Sequence, residues 1–138
     1  MDDLKIYYEV VTEEDFIKIQ NDISKVQDWC VLNEMKTNLK KCAIISFSRK
    51  KFPMIYNYKI NSNELSRVTT VEDLGIIFDT RLNFHEHVNV TITKANRLWG
   101  FIWRNSKHFK NWQTVRILYL TLIRAVFVYG SPIWRPYT

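Results

Sequence analysis

Two adjacent carboxylates, Asp2 and Asp3, are the residues whose type and spacing best suit metal chemistry. Mg²⁺ takes oxygen ligands in proteins, and two such ions ~3.5–4 Å apart stabilise the attacking and leaving oxygens of a phosphoryl transfer. The pair precedes residues 4–11, whose alternation predicts a β-strand. Acidic pairs near a terminus are usually solvated, so the pair by itself is weak support for a metal site.

The distribution of charge is more informative than the net charge of +6. Residues 1–34 hold nine acids and three bases, whereas residues 35–59 hold seven bases and no acid. Residues 84–138 hold eight bases, the single acid Glu86 and four of the five tryptophans. Bases interleaved with aromatics suit a surface that neutralises phosphates and stacks on bases or sugars. The alternative is a helical hairpin with a Trp-rich core and a solvated basic face.

Length and composition are those of one globular domain or one piece of a larger one. The chain has 138 residues, 46% of them hydrophobic, with three glycines and three prolines, which argues against a flexible linker. The sequence has no run of about 18 uncharged apolar residues, so no membrane association is expected. Acids stand where a signal peptide has bases, and Cys30 and Cys42 form no metal-like cluster. We therefore expect an intracellular protein, nuclear or cytoplasmic and not secreted, with reduced thiols.

Hydrophobic periodicity predicts an α+β order: a strand, a helix, three or four strands and then two long helices. The first helix is expected over residues 12–32, with Thr12 as N-cap and Asp15 three residues on. A turn is expected at residues 61–63. The later strands are predicted at residues 42–48, 54–60, 65–71 and 73–79.

Two long helices are predicted in the last third of the chain. The first begins with Asn83 as N-cap and Glu86 at N3, and the second begins near Asn111 and ends at Gly130. The buried stripe of the first is predicted to be Phe84, Val88, Ile92, Ala95, Trp99 and Ile102. That of the second is predicted to be Val115, Leu118, Tyr119, Leu122 and Val126. His85 and His87 have no Cys or carboxylate at ligand spacing, so no metal is expected there.

Five segments of the chain resemble, in order, the motifs of one enzyme family. Met1-Asp2-Asp3 with residues 4–7 resembles the end of a catalytic Asp-Asp hairpin, and Asn38-Leu39-Lys40-Lys41-Cys42, after Asp28-Trp29-Cys30, resembles the next palm motif. Residues 73–79 with Leu82 and Phe84 resemble a Leu-Gly hairpin that lies near the primer. Lys94-Ala95-Asn96-Arg97 and residues 131–137 resemble the helices and exit segment after the palm. Taken together, the chain resembles the reverse transcriptases of non-LTR retrotransposons, particularly the jockey-like group, over essentially its whole length.

The resemblance implies RNA-directed DNA synthesis, with Mg²⁺ as cofactor and an RNA template, a DNA primer and deoxynucleotides as partners. It implies a palm end of antiparallel strands and one helix over residues 1–82, followed by an all-helical thumb over residues 83–138. Asp2 would be a catalytic Mg²⁺ ligand and Asp3 its supporting neighbour. Lys41 would donate a proton to departing pyrophosphate, where a cation also offsets developing charge. The alternative for Lys41 is an ordinary exposed lysine before a strand.

Bases of the last third are the predicted nucleic-acid contacts. Lys94 and Arg97 lie three residues apart and so share a helix face. Arg104, Lys107 and Lys110 extend the predicted patch toward the following loop. Such a patch would bind through phosphates, with little preference for base sequence.

Three interpretations remain open for the whole chain. The family's fingers and its other metal-binding Asp lie upstream of the matched motifs, so the chain is expected to be a C-terminal fragment that is inactive alone. The second interpretation is a non-enzymatic basic module that binds nucleic acid. The third is a decayed transposon relic. The sequence does not decide whether the chain itself is an enzyme, and it predicts no oligomeric state.

Overall fold

The computed structural model describes residues 4–107, 109 and 111–135, and these residues mix helices with short strands. The α+β class expected from the sequence is confirmed at that level, whereas the palm and thumb assignments stay predictions. Backbone contacts divide the chain into two compact units between Thr69 and Thr70. The predicted division at residues 82–83 is later, and the structure groups residues 70–82 with the helices that follow them.

The first unit is built on helix α1, Glu13–Leu32. At its start the Asp15 carboxylate accepts hydrogen bonds from the Thr12 N–H at 2.9 Å and from the Thr12 hydroxyl at 3.1 Å. Asp15 also pairs with Lys18 Nζ at 2.8 Å. These bonds confirm the predicted helix start, because they use a side chain to satisfy groups that lack a partner within the helix.

The core of the first unit lies on one side of α1. Phe16 and Ile23 are two helical turns apart, and both are buried with Tyr58. The Phe16 ring stacks on Tyr56 with centroids 5.3 Å apart and meets the edge of Tyr58 at 6.4 Å. The side of α1 that carries Phe16 and Ile23 is therefore the face that packs.

Strands of the first unit are only two residues long. Strand β1, Ala43–Ile44, runs parallel to β4, Ser66–Arg67. Strand β2, Lys59–Ile60, runs antiparallel to β3, Asn63–Glu64. The parallel β1–β4 pair corrects the expectation of purely antiparallel strands.

Two glutamines of α1 hold β2 and its turn through paired side-chain bonds. Gln20 accepts from the Lys59 N–H and donates to the Lys59 carbonyl, both at 2.9 Å. Gln27 accepts from the Asn61 N–H at 3.1 Å and donates to the Asn61 side chain. Asn61 and Ser62 form the predicted turn, with φ of 49° and 63°. Because a side-chain amide can donate and accept at once, Gln20 acts here as a substitute for a neighbouring strand.

Several predicted strands are absent or shortened in the described part of the chain. Residues 4–11 form no strand there, and the strands predicted at residues 42–48 and 54–60 shrink to β1 and β2. Alternating side chains make a strand only where a second strand supplies backbone hydrogen bonds. Leu4 and Tyr7 are exposed, so the alternation in this stretch does not mark a buried face.

The second unit opens with a hairpin of β5, Thr70–Asp73, antiparallel to β6, Ile76–Asp79. Leu74 and Gly75 form its two-residue turn with φ of 47° and 75°, so the single strand predicted here is wrong. Both positive φ values fit the turns that match the twist of antiparallel strands. The Tyr129 hydroxyl donates to the Leu74 carbonyl at 2.6 Å, which ties the hairpin tip to the helices of this unit.

Helix α2, His85–Asn105, has nearly the predicted extent, but Asn83 does not cap it. The residue before the helix, Phe84, has a left-handed conformation with φ of 57°. The Asp79 carboxylate accepts from the N–H groups of Arg81, Asn83 and Phe84, each at 2.8 Å. Asp79 thus organises the turn that leads into α2, a role that the sequence pattern did not indicate.

The buried face of α2 is rotated from the predicted one. Ile92 and Trp99, both expected inside, are exposed. A search for apolar residues at helical spacing misses a buried stripe that begins with polar side chains. The buried residues of the helix are His87, Thr91, Ala95 and Ile102.

Three further helices complete the second unit. Helix α3, Trp112–Leu118, runs through a π turn, Tyr119–Ile123, into α4, Arg124–Val128, and α5, Ser131–Trp134, follows. The Asn111 side chain accepts from the backbone of α3 at 2.9 Å, so this start is confirmed. No helix in the described ranges is long and apolar enough to cross a membrane.

The π turn shifts the buried face of the last helices by one residue. Val115 and Leu118 pack against the core of Ala95, Ile102 and Ile123. At the end of the turn Ile123 is buried, whereas Leu122, which the regular spacing predicts, is exposed. A π turn holds one extra residue between hydrogen-bonded groups, and a pattern search that assumes 3.6 residues per turn cannot anticipate it.

Candidate nucleic-acid interface

The predicted metal ligands Asp2 and Asp3 lie outside the described residues. Within the residues that the structure describes, no three His, Cys, Asp or Glu side chains come together to hold a metal ion. The Mg²⁺ assignment therefore stays a prediction that rests on the resemblance.

Lys41 lies at the end of a 3₁₀ turn, Leu39–Lys41, directly before β1. The Asn38 side chain accepts from the Lys40 N–H at 3.2 Å, and the Lys41 N–H bonds to the Asn38 carbonyl at 2.9 Å. This double anchor fixes the backbone at Lys41 and leaves the side chain exposed. The next residue, Cys42, is half-buried. The geometry leaves Lys41 reachable by a substrate, and its proposed role stays a prediction.

Three predicted phosphate contacts, Lys94, Arg97 and Arg104, are exposed on α2. At 100° per residue, Arg97 and Arg104 point within about 20° of one another, and Lys94 lies about 60° from Arg97. Arg97 and Arg104 point away from Ala95 of the buried stripe, and Lys94 lies at the edge of that stripe with its side chain exposed. The helix therefore presents these cations together to solvent. We call this set of three residues the basic face.

Lys107 follows α2 and is also exposed, whereas Lys110 lies outside the described residues. Both ion pairs among the described residues are on α1, where Lys18 and Lys25 meet Asp15 and Asp22. The basic face thus makes no ion pair within the described part of the chain. Its charge is available to an anionic partner.

Asp79 positions the helix that presents the basic face. Burial acts to raise the pKa of the Asp79 carboxyl, but hydrogen bonds from three backbone N–H groups outweigh burial and hold the pKa below its ordinary value. The carboxylate therefore stays ionised. It fixes the Asp79–Phe84 turn, and through it the start of α2, beside the hairpin.

The tryptophans of the second unit do not form the Trp-rich core that was one alternative. Trp99 and Trp103 are 43% and 63% exposed, and Trp112 is also exposed. The core instead consists of aliphatic side chains, among them Ile102 and Ile123. Exposed tryptophan beside exposed arginine and lysine is the arrangement expected of a nucleic-acid surface.

His87 is a structural residue that the sequence analysis considered only as a metal ligand. Its side chain is buried, Nδ1 accepts from the Ile77 N–H at 3.3 Å, and the ring meets Trp134 edge to face at 5.4 Å. Burial lowers the pKa of the imidazole. A neutral imidazole, whose unprotonated Nδ1 accepts this hydrogen bond, is therefore part of the packing between α2, β6 and α5.

Comparisons with known proteins identify no relative of this chain. No protein family, curated protein or solved structure matches the chain. The functional assignment accordingly depends on the residues and on the surfaces that they form.

Proposed function

We propose that this chain is the palm end and thumb of an RNA-directed DNA polymerase of the non-LTR retrotransposon type. The observation that carries the proposal is the β5–β6 hairpin with Leu74 and Gly75 at its tip, followed at once by helices with an exposed basic face. In the family that the chain resembles, a Leu-Gly hairpin lies near the primer and the thumb helices follow it. The bond from Tyr129 to Leu74 supports a fixed tip that can contact a partner.

In this proposal the chemistry belongs to the complete enzyme. Asp2 holds Mg²⁺ with the support of Asp3, and the ion, when bound, neutralises charge on the reacting phosphates. Lys41 donates a proton to the departing pyrophosphate. The anchored, exposed position of Lys41 at the end of its 3₁₀ turn is compatible with that role.

The second unit holds the template and primer in this proposal. Lys94, Arg97, Arg104 and Lys107 neutralise backbone phosphates, as would Lys110. Contacts of this kind set the position of a duplex and carry little sequence information. A polymerase must move along its template, so binding without sequence preference suits DNA synthesis.

The coding sequence on the 5′ side of Met1 provides the first test. The proposal expects an open frame that encodes polymerase fingers and a strand with another Asp. A frame without them overturns the polymerase assignment and leaves the second candidate, a non-enzymatic basic module. That candidate is favoured by one specific observation, the unpaired basic face, which needs no polymerase to bind nucleic acid.

The longer protein provides the catalytic test, with RNA template, DNA primer, deoxynucleotides and Mg²⁺. We expect primer extension that Asp2→Asn abolishes and that Lys41→Ala slows by ~10²–10⁴, the usual contribution of a proton donor. Residues 1–138 alone are expected to extend no primer. Asp22→Asn is the matched control, since Asp22 lies half-buried on α1 and pairs there with Lys25. Full activity in the Asp2→Asn variant would exclude this metal site.

A further inference from the structure

Three aromatic side chains form a continuous exposed surface across two helical segments of the second unit. Trp99 and Trp103 on α2 have ring centroids 6.1 Å apart, and the Trp99 ring meets Tyr119 edge to face at 6.4 Å. Their exposed fractions are 43%, 63% and 44%. We call Trp99, Trp103 and Tyr119 the aromatic face.

The aromatic face and the basic face flank one solvent-exposed ridge of α2. At 100° per residue, Trp103 points about 100° from Arg104, and Asn96 and Gly100 point into the interval between them. Gly100 has no side chain, and a Cβ at its position would lie 3.3 Å from Arg104 Nη1. The ridge is therefore low, with flat rings along one side and guanidinium groups along the other.

Helix α3 extends the aromatic face with the same pairing of ring and cation. Trp112 is exposed, and the Arg116 guanidinium lies 5.8 Å from the centre of its ring. Trp112, Arg116 and Tyr119 are four and three residues apart, so they share one side of the helix. Rings and cations thus alternate over a surface that both helical segments build.

We propose that the aromatic face binds unpaired nucleotides, with the bases stacked on Trp99, Trp103 and Tyr119 and the phosphates on Arg97 and Arg104. The inference deepens the proposed function and rests on it only in giving the second unit a nucleic-acid partner. A duplex hides the faces of its bases within the stack, so it can bind only to the basic face, through its phosphates. A single strand reaches both faces, because every base has a π-face to offer.

Charge decides between a nucleic acid and other occupants of this apolar surface. From residue 87 to the end of the sequence there is no acidic residue, while eight bases are present. A second copy of the chain would bring the same positive charge against this surface, and like charges oppose such pairing. A polyanion with flat apolar groups satisfies both the cations and the rings.

The test uses the full chain and two labelled 12-nucleotide probes measured by fluorescence anisotropy at one salt concentration. One probe is oligothymidylate, and the other has the same backbone with abasic sites, so it keeps the phosphates and lacks the bases. We expect oligothymidylate to bind about fivefold or more tightly than the abasic strand, the smallest effect of one stacked base. Equal affinities would overturn the proposal.

Variants separate stacking from charge and from folding. Trp103→Leu is expected to reduce the preference for oligothymidylate, because Trp99 and Tyr119 remain, and to leave the affinity for the abasic strand unchanged. Trp29→Leu is the matched control, because Trp29 is 55% exposed on α1 in the first unit, and it should keep the preference. Circular dichroism of both variants checks that the helices are retained. If the Trp103→Leu variant does not fold, Trp103→His is used in its place. Histidine keeps a smaller ring and should retain part of the preference for oligothymidylate.

A blunt duplex separates this inference from the proposed function. Duplex binding that survives Trp103→Leu, with the single-strand preference reduced, supports stacking on the aromatic face. A preference for oligothymidylate that is undiminished in Trp103→Leu and in Tyr119→Leu overturns it. Failure of the longer protein to extend a primer would count against the polymerase and leave the stacking result standing. Self-association that depends on Trp103, with no difference between the two probes, would assign the surface to a second copy instead.

Discussion

The imidazole of His87 joins three elements of the second unit, since it lies on α2, accepts from the backbone of β6 and packs against Trp134 of α5. Nδ1 can accept that hydrogen bond only while it is unprotonated. Protonation in place would lose the bond and bury a charge, which is why burial lowers the pKa of this group.

The lowered pKa of His87 predicts a loss of stability in mild acid. Below the ordinary histidine pKa of 6.5, the unfolded chain takes up a proton that the folded unit does not. The free energy of unfolding therefore decreases as the pH is lowered, until the pH reaches the pKa of the folded state. Thermal denaturation at pH 7.5, 6.5 and 5.5 measures the fall. His87→Gln should lower stability at pH 7.5 and flatten the pH dependence, because glutamine keeps an acceptor without titrating in this range. An unchanged slope in His87→Gln would show that another group titrates.

At the scale of elements, the sequence predicts what local chemistry determines. The starts of α1 and α3 follow from side-chain caps at Thr12–Asp15 and Asn111, and both starts are as predicted. The start of α2 depends instead on Asp79, which acts from the preceding strand. Short-range patterns do not reveal a cap that comes from outside the helix.

Strand pairing and helix register are the parts that short-range patterns do not determine. The alternation of residues 4–11 does not reveal whether another strand is available to pair with it. The π turn displaces Leu122 outward and brings Ile123 inward, which regular spacing cannot foresee. Lys94, Arg97 and Arg104 nevertheless lie on the exposed side of α2 as predicted, since long charged side chains are rarely buried.

Gly130 gives a prediction at the junction of α4 and α5. Its φ is +62°, and a Cβ at this position would lie only 2.5 Å from Ile76 Cδ1. Gly130→Ala should therefore destabilise the protein by ~1–2 kcal/mol from the left-handed backbone alone, with a further loss of stability as β6 moves away.

Gly100→Ala is the matched control, because this glycine is inside α2 and its new Cβ would meet only the flexible end of Arg104. Helix propensity favours that change by up to ~1 kcal/mol. Chemical denaturation measures both, and equal effects would contradict the close approach at Gly130.

At the scale of the whole molecule, charge is divided along the sequence, because residues 1–34 are acidic whereas residues 35–59 and 84–138 are basic. Nine acids precede residue 35, and most of them lie on or near α1, whereas the helices of the second unit are almost free of acids. Opposite ends of one sequence therefore suit different neighbours. An anionic polymer is attracted to the basic segments and repelled by residues 1–34, which restricts where it can bind.

Salt dependence tests this division of charge. If about three phosphates are neutralised by Lys94, Arg97 and Arg104, the logarithm of the association constant for duplex DNA should fall against the logarithm of salt with a slope of about −3, from ~0.9 per neutralised phosphate. The triple change of these residues to glutamine should flatten the slope by about one for each phosphate that is no longer neutralised.

A matched triple change of Lys5, Lys18 and Lys25 to glutamine removes the same charge from the acidic part of the chain and should leave the slope unchanged. Fluorescence anisotropy over a salt series measures all three proteins. An equal effect of the two triple changes would mean that net charge, rather than the basic face of α2, determines binding, and an affinity independent of salt would show that the basic face is solvated surface.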